Sequence, residues 1–314
     1  MYSDKFMETK KMTDAEAVEA INKIKKERGT YEEKPEYVVS GITLREKYME
    51  PPFSVLDARS GSWQKHKAEW KEMGIKSEVG RDVNVLPGKS KNDYMPDMES
   101  STSIFDPYLC ELMYKWFCPE GGTILDPFAG GSVRGIVAHK LGYKYVGIEL
   151  RPEQVESNRQ QALELLPADN QPTWICGDSE KVLDTLSGES FDFIFSCPPY
   201  ANLEVYSKLE DDLSRMEYKY FIEKYNSIIR KAWCLLDSFG FGVFVVGEVR
   251  DERGYYLGFV KDTIAAFTHM LTGAHFYNEM ILLDPIGTAM IRAENSFKSK
   301  KVVKVHQNVL VFKK

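Results

Sequence analysis

Two short segments of this 314-residue chain hold residue types and spacings suited to chemistry: DPFAGGS at 126–132 and SCPPY at 196–200. In the first, a glycine-rich turn lets the backbone approach a ligand closely. The helix that follows offers its N-terminus to an anionic group. A dinucleotide-binding turn would begin with glycine (GxGxxG), but Asp126 stands there instead. A carboxylate at a strand end can meet an ammonium group, so a ligand with both an amine and a carboxylate suits this turn better than a pyrophosphate.

In the second segment, Pro198 and Pro199 stiffen an extended turn and supply no N–H. Acceptor carbonyls are therefore left at a defined place, with the ring of Tyr200 beside them. Acceptors aimed at an amine, next to a ring for stacking, suit a base drawn out of a helix. Two further carboxylates fall at the ends of consecutive hydrophobic runs. Glu149 closes YVGIEL (145–150), where an acidic residue can bond ribose hydroxyls. Asp178 follows TWIC (173–176), where it or its neighbours can accept from an adenine amino group.

The elements that must position these groups alternate from about residue 104. Short apolar runs at 123–128, 145–150, 173–176, 191–196 and 241–249 read as strands. Segments 105–117, 133–141, 152–166, 180–186, 218–236 and 257–271 read as helices. This alternation predicts a mostly parallel sheet with helices on both faces. Two last strands, 276–283 and 302–312, show no helix between them and are expected to pair antiparallel. Residues 1–103 read as an N-terminal extension and 104–314 as the catalytic domain. A helix is expected over 13–29, with Thr13 and Glu16 as a capping box, and a shorter one over 62–73. Trp63 and Trp70, seven apart, share a face of the shorter helix and are expected to pack it. Residues 84–103 read as a polar linker.

Composition excludes several classes. Hydrophobic residues make up 43 % of the chain, enough for a packed core, and no apolar run reaches membrane-spanning length. The N-terminus lacks the apolar stretch of a secretory signal. Five cysteines, an odd number without a CxxC pair, argue against a disulfide framework or a cysteine-rich zinc site. A reducing cytoplasm is the expected location, with no metal and no membrane partner. The net charge is −6, yet residues 292–314 hold seven Lys and Arg against Glu294 alone. Such asymmetry fits a protein with one anion-facing edge.

DPFAGG followed by a PPY motif resembles the S-adenosylmethionine-dependent amino-methyltransferases of DNA, which act on adenine N6 or cytosine N4. The resemblance is greatest to phage and prophage DNA methylases, through 51–70, 126–142, 196–206, 244–251 and 306–314. It implies a Rossmann-like, seven-stranded class I methyltransferase fold with an N-terminal extension. It further implies that Phe105, Asp126, Phe128, Gly130, Gly131, Glu149 and Asp178 hold S-adenosylmethionine. Cys197, Pro198, Pro199 and Tyr200 would form the catalytic tetrad around a flipped base. DNA would be the partner, with Tyr200, Arg292, Lys298, Lys300 and Lys301 touching it.

Two departures stand out. Ser132 replaces the last glycine of the family's FxGSG turn, and Cys197 replaces the usual Asp, Asn or Ser. A thiol accepts weakly, so the Pro198 carbonyl must do more of the orienting. The segment SCPPYANLEVY is more similar to cytosine-type than to adenine-type relatives. Rival readings are an RNA methyltransferase on the same fold and an inert DNA-binding protein that keeps the fold.

Overall fold

The computed structural model describes residues 38–39, 42–75, 105–200, 212–287 and 289–314. The expected helix over 13–29 and the linker at 84–103 lie outside them. The chain divides into two compact units, Met1–Pro52 and Phe53–Lys314. In the first, strands β1 (Val38–Val39) and β2 (Ile42–Thr43) pair antiparallel. Helix α1 (Leu44–Tyr48) follows, started by a capping box between Thr43 and Glu46.

The second unit is built on an eight-stranded sheet, one strand more than the sequence suggests. Its members are β3 (Val55–Asp57), β4 (Thr123–Asp126), β5 (Lys144–Glu149), β6 (Thr173–Cys176), β7 (Phe191–Ser196), β8 (Leu236–Val246), β9 (His275–Leu283) and β10 (His306–Lys313). They lie in the order β6-β5-β4-β7-β8-β10-β9-β3. Strand β10 runs antiparallel to both β8 and β9, and the remaining pairs are parallel. The extra strand is β3, which adds to β9 at one edge. Residues 53–75, which read from sequence as part of the extension, thus belong to the unit that carries the sheet.

Chain order reverses between β4 and β7. In open sheets of this kind the crevice at such a switch, outside the carboxyl ends of the strands, is where ligands bind. Helices α2 (Gly61–Glu72), α3 (Pro107–Phe117), α4 (Val133–Lys140), α5 (Pro152–Leu165), α6 (Ser179–Thr185), α7 (Tyr218–Leu235), α8 (Phe259–Thr268) and α9 (Ala289–Lys298) surround the sheet. Helix α7 buries Phe221, Tyr225, Ile228, Ile229, Ala232 and Trp233, an i, i+4, i+7 stripe that faces the sheet.

Trp63 and Trp70 are both buried and fasten α2 to α3, as their spacing predicts. The Trp63 indole donates to Asp106 (3.1 Å) and the Trp70 indole to Glu111 (2.7 Å). Asp106 also caps α3 through the Tyr108 amide and receives Lys67.

The segment 285–301, which reads from sequence as a loop, contains α9. Its flanking strands still pair antiparallel, but β10 starts at His306 rather than at 302. Because β9 runs with the parallel strands, α9 leaves the sheet at the carboxyl edge.

Candidate active site

The carboxyl edge gathers both motifs. Asp126 ends β4, fully buried, and its carboxylate is saturated by the protein. Oδ2 accepts from Arg134 Nε (2.5 Å) and the Tyr145 hydroxyl (2.8 Å). Oδ1 accepts from the Ser196 hydroxyl (2.6 Å) and the Phe128 amide (3.1 Å). The sequence alone suggests that this carboxylate meets a ligand ammonium directly. In the structure it instead braces the turn. Arg134 also donates to the Phe128 and Ala129 carbonyls, at 2.7 and 2.8 Å, so it laces the DPFAGG turn from inside. Burial opposes the Arg134 charge, but Asp126, together with Tyr145 and Cys197, offsets this and keeps the guanidinium protonated. Burial, reinforced by Asp126, keeps Tyr145 far above the ordinary phenol range, so it remains a neutral donor.

Phe105 stands beside this cluster. The Arg134 guanidinium lies 4.6 Å from its ring centre, and Phe195 meets it edge-on at 5.8 Å. Phe128 is partly buried against Tyr225. Gly130 adopts φ +52°, and a Cβ placed there would meet nothing within 4 Å. The glycine is therefore required by backbone conformation, and the space above the turn is open to a ligand. Gly131 follows it at the entrance to α4.

A polar chain missed by sequence reasoning ties this turn to Glu149. Glu149 Oε1 accepts from the amide and Nε of Arg151, at 3.0 and 3.1 Å. Arg151 donates to Gln154, Gln154 to Asn158, and Asn158 to the Gly130 carbonyl, at 3.0, 2.9 and 2.7 Å. Gln161 accepts from Ser132 (2.6 Å). Gln154, Asn158 and Gln161 are buried, and their i, i+4, i+7 spacing on α5 was the available signal. Buried amides are retained where each is bonded, and together they set the turn relative to the end of β5. Asp178 caps α6 through the Glu180 amide and faces Lys224 Nζ (3.1 Å) and Lys181 Nζ (3.6 Å). Lys224 comes from α7, and no spacing in the sequence points to it.

At the end of β7, Pro198 is buried while Cys197, Pro199 and Tyr200 are partly accessible. Cys197 Sγ lies 3.8 Å from the Tyr200 hydroxyl, which donates to Gln307 Oε1 (3.2 Å). Gln307 in turn donates to Asp284 (3.2 Å). The Tyr200 ring meets Phe259 edge-on at 6.3 Å. Strand β10 is reversed, so its first residues reach the same edge as the ends of the parallel strands. Glu248, just after β8, accepts from the amides of Gly258 and Val260 and starts α8.

Arg292, Lys298, Lys300 and Lys301 are not drawn into this cluster. Arg292 and Lys298 are exposed on α9, Lys300 is exposed in the turn after it, and Lys301 is partly buried there. Lys300 lies 5.0 Å from the exposed Phe297 ring, and Met290 and Ile291 are also exposed. Among the described residues no group of three or more His, Cys, Asp or Glu is placed to hold a metal ion. No described helix is long and apolar enough to cross a membrane.

Residues 8–160 match the model of a family described as DNA methylase. Over 54 residues the chain is 37 % identical to the type II methyltransferase M2.DpnII of Streptococcus pneumoniae, covering 17 % of this chain and 20 % of that protein. TrmN from Thermus thermophilus is similar in structure, with a TM-score of 0.46 and 15 % identity over 68 % of this chain and 51 % of its own. Magnesium protoporphyrin IX methyltransferase from Synechocystis PCC 6803, solved with bound SAM, gives 0.41 and 12 % identity over 66 % and 79 %. The match thus spans about a fifth of the curated relative and half of TrmN.

Proposed function

From the match of residues 8–160 to DNA methylases, we propose that this protein transfers a methyl group from S-adenosylmethionine to the exocyclic amine of a base in DNA. The observation that carries the reading is the bond from Ser196 to Asp126. Residues seventy positions apart are tied where β4 and β7 adjoin, so the cofactor-type turn and the amine-orienting turn start from neighbouring strand ends, which supports a shared site.

The residues present fit the cofactor. The open space above Gly130 takes the methionine portion, with Phe105 and Phe128 as apolar walls. In this reading Glu149 bonds the ribose hydroxyls and Asp178 the adenine amine. Asp126 serves through Arg134, as a brace for the turn. When bound, S-adenosylmethionine supplies an electrophilic methyl group on a sulfonium.

The chain's own part is orientation and charge placement. Tyr200, anchored at its hydroxyl by Gln307, offers its ring to a flipped base. The Pro198 carbonyl accepts from the base's exocyclic amine, and Cys197 completes the frame. The amine's lone pair is thereby left to point into the crevice.

The test is incubation of the purified chain with unmethylated genomic DNA, or with structured RNA, and cofactor labelled in its methyl group. Nucleoside mass spectrometry should find N4-methylcytosine or N6-methyladenine in the DNA arm. Label confined to RNA, or no transfer at all with cofactor bound, overturns the reading.

A further inference from the structure

Lys304 lies in the run-up to β10, between α9 and His306. Its Nζ is buried and, among the described residues, has no hydrogen-bond partner. A buried ammonium without partners is costly and calls for an explanation. Glu248 and Asp284 lie near enough to attract it, but neither is hydrogen-bonded to it. Glu248 bonds the amides that start α8, and Asp284 Oδ1 takes Gln307. Gly247 shows what the ammonium faces: a Cβ built there would lie 3.4 Å from Lys304 Nζ and 3.5 Å from Tyr200 Cε1. Both groups therefore border one small gap at the carboxyl edge, kept open because glycine has no side chain.

We propose that Lys304 selects the base at the Tyr200 turn by donating to a carbonyl oxygen on its edge, and that the base is therefore cytosine. This rests on the methyl-transfer reading of the same site. Beside its exocyclic amine, cytosine carries a ring nitrogen and then the O2 carbonyl, an unbroken run of acceptors. Adenine carries a ring nitrogen and then a C–H, which offers an ammonium nothing at the second position. With the amine held at the Pro198 carbonyl, a donor across the Tyr200 ring discriminates at that second position. The nearby charges agree with such a role. Burial lowers the affinity of Lys304 for its proton, while Glu248 and Asp284 act to keep it charged. His306 adds a further titratable group on the same side.

The test compares wild type with Lys304→Met, which keeps the length and removes the donors. Genomic DNA methylated by wild type should contain N4-methylcytosine and no N6-methyladenine. Lys304→Met should methylate roughly 10- to 100-fold more slowly, the usual scale for losing a charge-assisted bond. Its cofactor affinity and thermal midpoint should be unchanged or higher, and the salt dependence of its DNA binding should match wild type. N6-methyladenine as the wild-type product overturns the proposal while leaving methyl transfer standing. Undiminished activity in Lys304→Met overturns it too, as a merely packed lysine would give. A salt slope smaller by roughly 0.9 would assign Lys304 to a phosphate instead. Absence of both modified bases in wild-type reactions refutes the methyl-transfer premise, an outcome distinct from all of these.

Discussion

Arg134 Nε meets Asp126 Oδ2 at 2.5 Å, and both side chains are buried beneath the glycine turn. This pair converts a residue that looks like a ligand contact into part of the scaffold. Its removal should therefore be felt first in stability. Asp126→Ala should lower the unfolding free energy by about 3–5 kcal/mol, because the guanidinium is left buried without its counter-charge. Asp126→Ala combined with Arg134→Met should recover part of that loss. Urea unfolding of wild type and the two variants measures it. Equal stability of Asp126→Ala and wild type would show that the pair is not a structural brace.

Glu149 is the probe of cofactor binding, since its own side chain keeps some exposure at the crevice edge while it also pairs with the buried Arg151. Glu149→Ala should weaken S-adenosylmethionine binding by about 1.5–3 kcal/mol. Asn158→Ala, which frees the Gly130 carbonyl and the Gln154 amide, should cost about 1 kcal/mol by the same measurement. Calorimetric titration separates them. An unchanged affinity in Glu149→Ala would remove the ribose assignment.

Under the proposed function Cys197 orients the amine and is not a nucleophile. Its Sγ lies 3.8 Å from the Tyr200 hydroxyl. Cys197→Ser should keep substantial activity. DNA carrying 5-fluorocytosine should form no covalent adduct with either protein. A trapped complex on a denaturing gel, absent in the Ser variant, would replace amine methylation with carbon-5 chemistry.

The parallel core and the two motifs were legible because strand-to-helix alternation and Gly/Pro turns are local signals. What escaped depends on tertiary partners. VLD at 55–57 is too short to announce a strand, and it becomes one only beside β9. Segment 285–301 reads as a loop through its Pro285, Gly287 and basic residues, yet residues 289–298 close a helix with apolar Met290, Ile291 and Phe297 left exposed. Asp126 is visible in the sequence as a carboxylate at the right place. That Arg134, eight residues on, occupies it follows from the geometry of the turn and not from spacing. The contacts proposed for Arg292, Lys298, Lys300 and Lys301 depend on a partner and leave no mark on the fold.

Those four residues give the last prediction, which concerns how an acidic chain holds a polyanion. The net charge of −6 repels DNA at long range, so attraction must be local. Helix α9 stands between β9 and β10 at the carboxyl edge, the side on which the Cys197–Tyr200 turn opens. Arg292, Lys298 and Lys300 are exposed, Lys301 is half-buried, and Lys300 rides over the exposed Phe297 ring. Exposed cations beside an aromatic face suit phosphate contact next to an unstacked base. Replacing Lys298, Lys300 and Lys301 by Ala should weaken binding to all DNA sequences alike. The plot of log affinity against log salt should flatten by roughly 0.9 for each phosphate no longer neutralised. Cofactor affinity should stay the same, because none of these side chains belongs to the polar chain between Glu149 and Gly130. Fluorescence anisotropy across a salt series gives the slope. If the slope of the triple variant equals that of wild type, the phosphates lie elsewhere, with α2 and its exposed Lys65 the next surface to mutate.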